Sequence, residues 1–341
     1  MSIKPTPEQD PPPYPPAAWT TTKMDDCYDE SPTVRRLFEN SKTTDESTLA
    51  TPARAPPPPL PLMHKFFTPP PPDGFPHIHQ SHPGQPFTGH TEESVDQWLA
   101  VPGHKAIVRI FNYPRVMYAD PSLPRVLLEE SIRSIITHAI PDSPRPLCHP
   151  PPRNLPGSIP STILVTLPSE KAHRTLLRGR IWSSEWITFE ALPVRTAPPT
   201  VLIAIAPFPT NNPSYPKKYI GTVWANPKNA KRIAEALLGP EDPDLTTEGI
   251  LDHLLSSLAA DPFPSPRGPG YGFVIHASTW RNDITLWTRL RKILFSLDYP
   301  PTPKLGHIAL VPLPYCSLCH SASHVRPNCP FPKLPLWNGP S

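Results

Sequence analysis

The sequence predicts an α+β protein: one or two small sandwiches of strands and helices, set between a disordered proline-rich head and a compact cysteine-bearing tail. Three observations predict it. Proline supplies 58 of the 341 residues, about 17% against a usual share of roughly 5%. Proline locks φ and removes a backbone donor, so no single regular fold absorbs that many. Hydrophobic residues make up 38%, below the globular norm of roughly 45–50%, yet eight Trp, twelve Phe and nine Tyr are too many for a wholly disordered chain. Beyond residue 94, strand-like and helix-like periodicities alternate in two successive stretches. The length gives a prior of about two domains.

Residues 1–94 read as the disordered, acidic, proline-rich region. Runs such as Pro11–Pro16, Pro56–Pro59 and Pro69–Pro72 favour extended polyproline II, whose solvated backbone packs no core. The His77, His79, His82 and His90 cluster lies within this head; weak metal binding is one reading of it, and an incidental cluster the favoured one. A first α+β module is expected over 95–195. Its strands are Ala106–Tyr113, Ser161–Leu167 and Trp186–Leu192. Between them fall a helix with Leu128, Ile132, Ile135, Ile136 and Ala139 on one face and a shorter helix over Ser169–Arg180. This alternation suits a ferredoxin-like sandwich.

A second module, 196–312, opens with the strand Val201–Ala206. Asn226-Pro227 is a helix start, with Asn as cap and Pro at the first position, where its missing N–H costs nothing. Ala230, Ile233, Ala234, Leu237 and Leu238 give that helix its apolar face. A further helix carries Leu251, Leu254, Leu255 and Leu258, and a strand follows over Gly270–His276. Leu286, Leu290, Ile293 and Leu297 mark a last helix, and His307–Val311 a closing strand. The order of elements repeats that of the first module without a sequence-level repeat.

Several function classes fall away. The longest clean apolar run, Val201–Ala206, is far short of the roughly 20 residues of a membrane helix. Met1-Ser-Ile-Lys-Pro-Thr-Pro7 has no apolar signal region, which implies an intracellular location, cytoplasmic or nuclear. In such a compartment five cysteines are not a disulfide framework, and their spacing becomes informative. No P-loop, nucleophile elbow or His-Glu-x-x-His helix is present, and Cys27 and Cys148 have no paired base, so no enzyme is expected and no small-molecule substrate. Charge is uneven: net −6 over residues 1–100, +4 over 101–280 and +5 over 281–341. Polyanion contact is therefore expected toward the C-terminus.

The segment 313–332, ahead of a short tail 333–341, holds the sharpest signal. Cys316, Cys319, His324 and Cys329 are spaced C-x2-C-x4-H-x4-C. Three thiolates and one imidazole make a closed tetrahedral site for one zinc ion. Four ligands in so short a segment let the metal supply folding energy that a core cannot. Two other readings stand beside it. Cys316-Ser-Leu-Cys319-His320 also spells the c-type haem attachment motif, which requires an exported context and a haem pocket. A thioredoxin-like Cys-x-x-Cys would sit at a helix start and would leave His324 and Cys329 unexplained.

The segment resembles the CCHC zinc knuckle of Gag nucleocapsid proteins and of retroelement-encoded RNA-binding proteins. The continuation Cys329-Pro-Phe-Pro-Lys-Leu-Pro-Leu-Trp-Asn-Gly-Pro340 looks like the ending of Gag-like or first-open-reading-frame proteins of fungal retroelements. The resemblance implies zinc binding by the four residues and single-stranded nucleic acid, RNA foremost, as partner. Ser317 stands where the family often has a base-stacking aromatic, and Ser323 where it usually has Gly. Tyr315, His320 and Arg326 are then the expected contacts near the knuckle.

A second resemblance lies in Pro269-Gly-Tyr-Gly-Phe-Val-Ile-His276, which is similar to the octamer of the RNA-recognition motif. In that family the octamer lies on a central strand whose aromatics stack bases. Tyr271 and Phe273 share one face by the period of two. The alternative places both in a core strand. The expectation as a whole is a zinc-dependent, Gag-like, non-enzymatic nucleic-acid-binding protein. Its rival is a self-associating or protein-interaction protein in which the knuckle is structural.

Overall fold

In a computed structural model the described residues are 67–112, 123–150, 160–194, 197–238, 246–279, 281–301 and 306–341. The proline runs up to Pro59 and Cys27 lie outside them. The first module contains α1 (Glu92–Ala100), β1 (His104–Ile110), α2 (Leu123–Ala139), β2 (Leu147–His149), β3 (Thr162–Leu167), α3 (Glu170–Gly179), β4 (Ile181–Ser183) and β5 (Thr188–Pro193). The strands form an antiparallel sheet in the order β2-β3-β1-β5-β4.

Alternation along β1 decides what each face buries. Ala106, Val108 and Ile110 meet Leu128, Ile132, Ile135 and Ile136 of α2 and Ala172 and Leu176 of α3 in one core. Ser169 starts α3 by accepting a hydrogen bond from the Ala172 amide, satisfying a donor that a helix start leaves open. On the opposite face Ile107, Leu164 and Leu192 pack with Phe87, Val95 and Trp98. Beside them Arg109 and Glu190 form a buried ion pair at 2.5 Å, from adjacent strands in register. Thr91 caps α1 through the Ser94 amide.

The second module contains β6 (Val201–Phe208), α4 (Ser214–Trp224), α5 (Pro227–Leu237), α6 (Thr247–Ser256), β7 (Ala259–Pro264), β8 (Tyr271–His276), α7 (Ile284–Phe295) and β9 (Ala309–Val311). Its sheet is antiparallel in the order β7-β8-β6-β9. Counting strands within each module, both sheets run second, third, first, last, and the first sheet adds β4 beyond β5 at its edge. One face of the second sheet, with Ile203, Ile205, Phe273 and Ile275, packs against Ile220, Trp224, Ile233, Leu254 and Leu290 of its helices. The other face carries smaller groups, Ala204, Ala206, Val274 and Val311, with Phe263 laid across them. A Cβ on Gly272 would strike the Phe263 ring, so glycine here makes room for that side chain.

The structure corrects the extent of the head. Residues 67–94 are not a solvated segment: Phe67, Ile78, Phe87 and Thr68 are buried. The Thr68 amide donates to the Ser183 carbonyl at 2.7 Å, and buried Arg291 of α7 donates to the Ser81 carbonyl. Apolar side chains between the prolines supply enough burial to order this stretch. Among the described residues no helix is long and apolar enough to cross a membrane.

Candidate metal centre

Cys316, Cys319, His324 and Cys329 are all buried, and one ligand atom from each lies within 4.8 Å of the others. Local turns bring them together. The His320 amide returns to the Cys316 carbonyl at 2.8 Å, and the Cys316 amide donates to the Ser321 carbonyl at 2.9 Å, closing the loop of the first two cysteines. A 3-10 turn over Arg326–Asn328 delivers Cys329, whose amide donates to the Arg326 carbonyl. Cys319 Sγ lies 3.5 Å from His324 Nε2, and Ser323 Oγ lies 3.1 Å from His324 Nδ1. Ser323 thus orients the His324 imidazole, as outer partners of metal-bound histidines do.

The donor set fits a zinc-class ion. Hydrogen bonds from Cys319 and Cys329 pull the Cys316 thiol well below its ordinary range, while the same contacts and burial push Cys319 up. Cys329 rises to about 11, chiefly through its contact with Cys316. Three sulfurs this close cannot all be thiolates unless a cation neutralises them, and three thiolates with one imidazole are a tetrahedral zinc donor set.

The centre is embedded in the molecule. Cys316, Leu318, Cys319, Cys329 and Phe331 share a cluster with Ile78, Phe111 and Ile181. Phe331 meets the Phe111 ring edge-on at 5.0 Å and the Trp337 ring at 5.3 Å. The Asn112 amide donates to the Leu318 carbonyl at 2.9 Å, and the Asn338 amide to Thr68 Oγ1 at 2.9 Å. Gly339 comes so near Ser183 and Thr188 that a Cβ would stand 2.5 Å from Thr188 Oγ1. The Cys-Pro-Phe-Pro…Trp-Asn-Gly-Pro ending is therefore a packing surface against the first sheet.

The expected contact residues divide. His320 is corrected to a buried anchor: it is 4% exposed, its Nδ1 lies 2.6 Å from Tyr315 Oη and its Nε2 lies 3.0 Å from the Ile110 carbonyl. Burial, with Arg109 nearby, holds its pKa down to about 4. Its φ of 65° is left-handed, a cost of about 1–2 kcal/mol for a non-glycine residue that these two contacts offset. Phe273 is corrected to the core: it is fully buried, edge-on to Phe208 at 5.2 Å, because the face it shares with Tyr271 is the one under the helices. Tyr271, at the strand start, stays 37% exposed, and Tyr315 is 55% exposed. Arg326 donates to Asn112 Oδ1 at 2.8 Å and to the Ser341 carbonyl at 2.5 Å, which ties the tail to the end of β1.

One surface had no place in the sequence reading. Helices α4 and α5 expose Lys217, Lys218, Lys228 and Lys231, with Tyr215 48% exposed at the start of α4. Residues 197–238 hold five cations against the single acid Glu235. The Tyr215-Pro-Lys-Lys218 run was the one signal of it, hidden within a regional charge of +4. Comparisons with protein-family models, curated proteins and solved structures find no match to this chain.

Proposed function

We propose that this protein is a non-enzymatic, zinc-dependent single-stranded nucleic-acid-binding protein of the Gag-like kind, with RNA as its strand. The observation that carries the reading is the buried Cys3His quartet in knuckle spacing. The strand orders of the two sheets support it, since a βαββαβ chain in that order is the ferredoxin-like arrangement on which RNA-recognition motifs are built. Binding would not use the family's usual sheet aromatics, because Phe273 is in the core. Lys217, Lys218, Lys228 and Lys231 supply phosphate contacts, and Tyr215, Tyr271 and Tyr315 present exposed rings for stacking.

A second reading rests on the packing of the tail. With His320, Phe331 and Gly339 all spent on contacts inside the molecule, the knuckle acts as a structural clamp, and the exposed surfaces serve self-association. Fluorescence anisotropy of labelled single-stranded RNA across a salt series separates the two. The first reading predicts affinity that falls steeply with salt, with Lys217→Gln/Lys218→Gln flattening the slope of log affinity against log salt by about 1.4, at about 0.7 for each phosphate no longer neutralised. Absent binding at low salt, with apolar self-association strengthening as salt rises, would replace it with the second.

A further inference from the structure

Strands β7 and β8 bring Asp261 and His276 to one face at the sheet edge: Asp261 stands opposite Val274, and His276 opposite Ala259. His79 reaches the same point from the lead segment. One ligand atom from each of His79, Asp261 and His276 lies within 4.8 Å of the others. His276 Nε2 is 3.0 Å and His79 Nε2 is 3.8 Å from Asp261 Oδ2. His276 Nε2 is close enough to Asp261 Oδ2 to pair with it, while the buried Nδ1 atoms of both His79 and His276 have no hydrogen-bond partner. One aspartate thus faces two imidazoles, and a single pairing leaves the second ring unused. The three donors converge, as ligand atoms do around a shared ion at bond lengths of about 2.0–2.2 Å.

The ligand from the lead segment is held firmly. The His79 amide donates to Ser321 Oγ at 3.1 Å, and its carbonyl accepts from the Ala322 amide at 2.7 Å. Its ring is flanked by His77 at 4.5 Å and His276 at 4.3 Å. A cavity of about 210 Å³ opens beside the three donors, bordered by Thr200, Ser257 and Ser278. Small hydroxyl side chains leave room there for a water or another oxygen donor.

We propose that His79, Asp261 and His276 form a second metal site, for a zinc-class divalent ion, that fastens the lead segment to the second sheet and keeps one coordination position open toward the cavity. Two imidazoles and one carboxylate select late first-row ions over magnesium or calcium, which prefer all-oxygen sites. Three protein ligands with a free position differ from the closed four-ligand centre of the tail.

Cobalt(II) titration of the metal-free full-length chain reads the two sites separately. The first equivalent should give thiolate-to-cobalt charge transfer from the cysteine centre, and a second should add ligand-field absorption with no thiolate band. Asp261→Asn and His79→Gln should each lower the zinc retained after dialysis from two ions per chain to one while keeping the thiolate band, which also shows that the variant is folded. Saturation of the natural chain at a single equivalent would overturn the proposal. So would a second equivalent that survives both substitutions. A missing thiolate band beside an intact second equivalent would instead remove the cysteine centre and leave this site standing.

Discussion

The two sheets share a strand order and differ in what lies on the face away from their helices. In the first, that face holds a buried Arg109–Glu190 pair and is covered by Phe87, Val95 and Trp98 from the segment ahead of β1. In the second, it holds alanine and valine under Phe263, with His276 and Asp261 at its edge. The connections differ too: α2 alone is described between β1 and β2, whereas α4, α5 and α6 stand between β6 and β7. The same topology therefore tolerates different finishing surfaces, and the chain spends its lead segment and its cysteine-bearing tail on them. In both sheets, the face away from the helices of the core is buried.

The comparison can be broken first at the tail. Cys329→Ser should lose most zinc affinity, since apparent zinc-binding energies of roughly 10–16 kcal/mol drive the folding of such segments. Native mass spectrometry should show one fewer zinc per chain, and contacts of the tail to β1 and β4 should loosen. On the first sheet, Glu190→Ala strands the Arg109 guanidinium in a buried site and should cost about 3–5 kcal/mol in denaturant unfolding. On the second, Phe273→Ala should cost a similar amount, about 3–5 kcal/mol, by opening a cavity beside Phe208. An equilibrium change near zero for either would show that its face is not packed as described.

Tyr271→Ala should leave stability within about 0.5 kcal/mol, because the ring is partly exposed at a strand start. If the ring stacks a base, single-stranded RNA binding should weaken by about 1–3 kcal/mol. A further effect, spread over pH, is acid sensitivity of the first sheet's cover. Burial holds the His90 ring down to about 4, where it lies 2.9 Å from Thr162 Oγ1. Its folded pKa is below the ordinary 6.5, so the unfolded chain takes up the proton first as pH falls. The stability it contributes is full above pH 6.5, declines toward pH 4 and then levels, with a slope of at most about 1.4 kcal/mol per pH unit. Urea melts between pH 7 and 4 should show a shallower decline in His90→Gln.

The helices and central strands were legible because their signals are local. The stripe Leu128, Ile132, Ile135, Ile136 faces the core as its spacing requires, and Asn226 caps α5 through the Lys228 amide. That Cys316, Cys319, His324 and Cys329 come together was legible for the same reason. Short or proline-bearing strands were not: β2 and β4 have three residues each, and β7 carries Pro262 and Pro264 at an edge, where a missing donor costs no ladder bond. Nor could period two tell which face of β8 lies under helices. Tyr271 and Phe273 do share a face, but its burial is set by α4 to α7 arriving from elsewhere in the chain. His79 and His276, almost two hundred residues apart, carry no sequence signal of their meeting.

The central claim is that zinc in the Cys3His centre clamps the tail to the end of β1. Hydrogen exchange at two amides tests it most directly: Asn112, which donates to the Leu318 carbonyl, and Ala322, which donates to the His79 carbonyl. In the zinc-loaded chain both should be protected, and in Cys329→Ser both should exchange near the rate of open chain while amides inside β1 and β6 stay slow. Unchanged protection of Asn112 and Ala322 in that variant would contradict the claim.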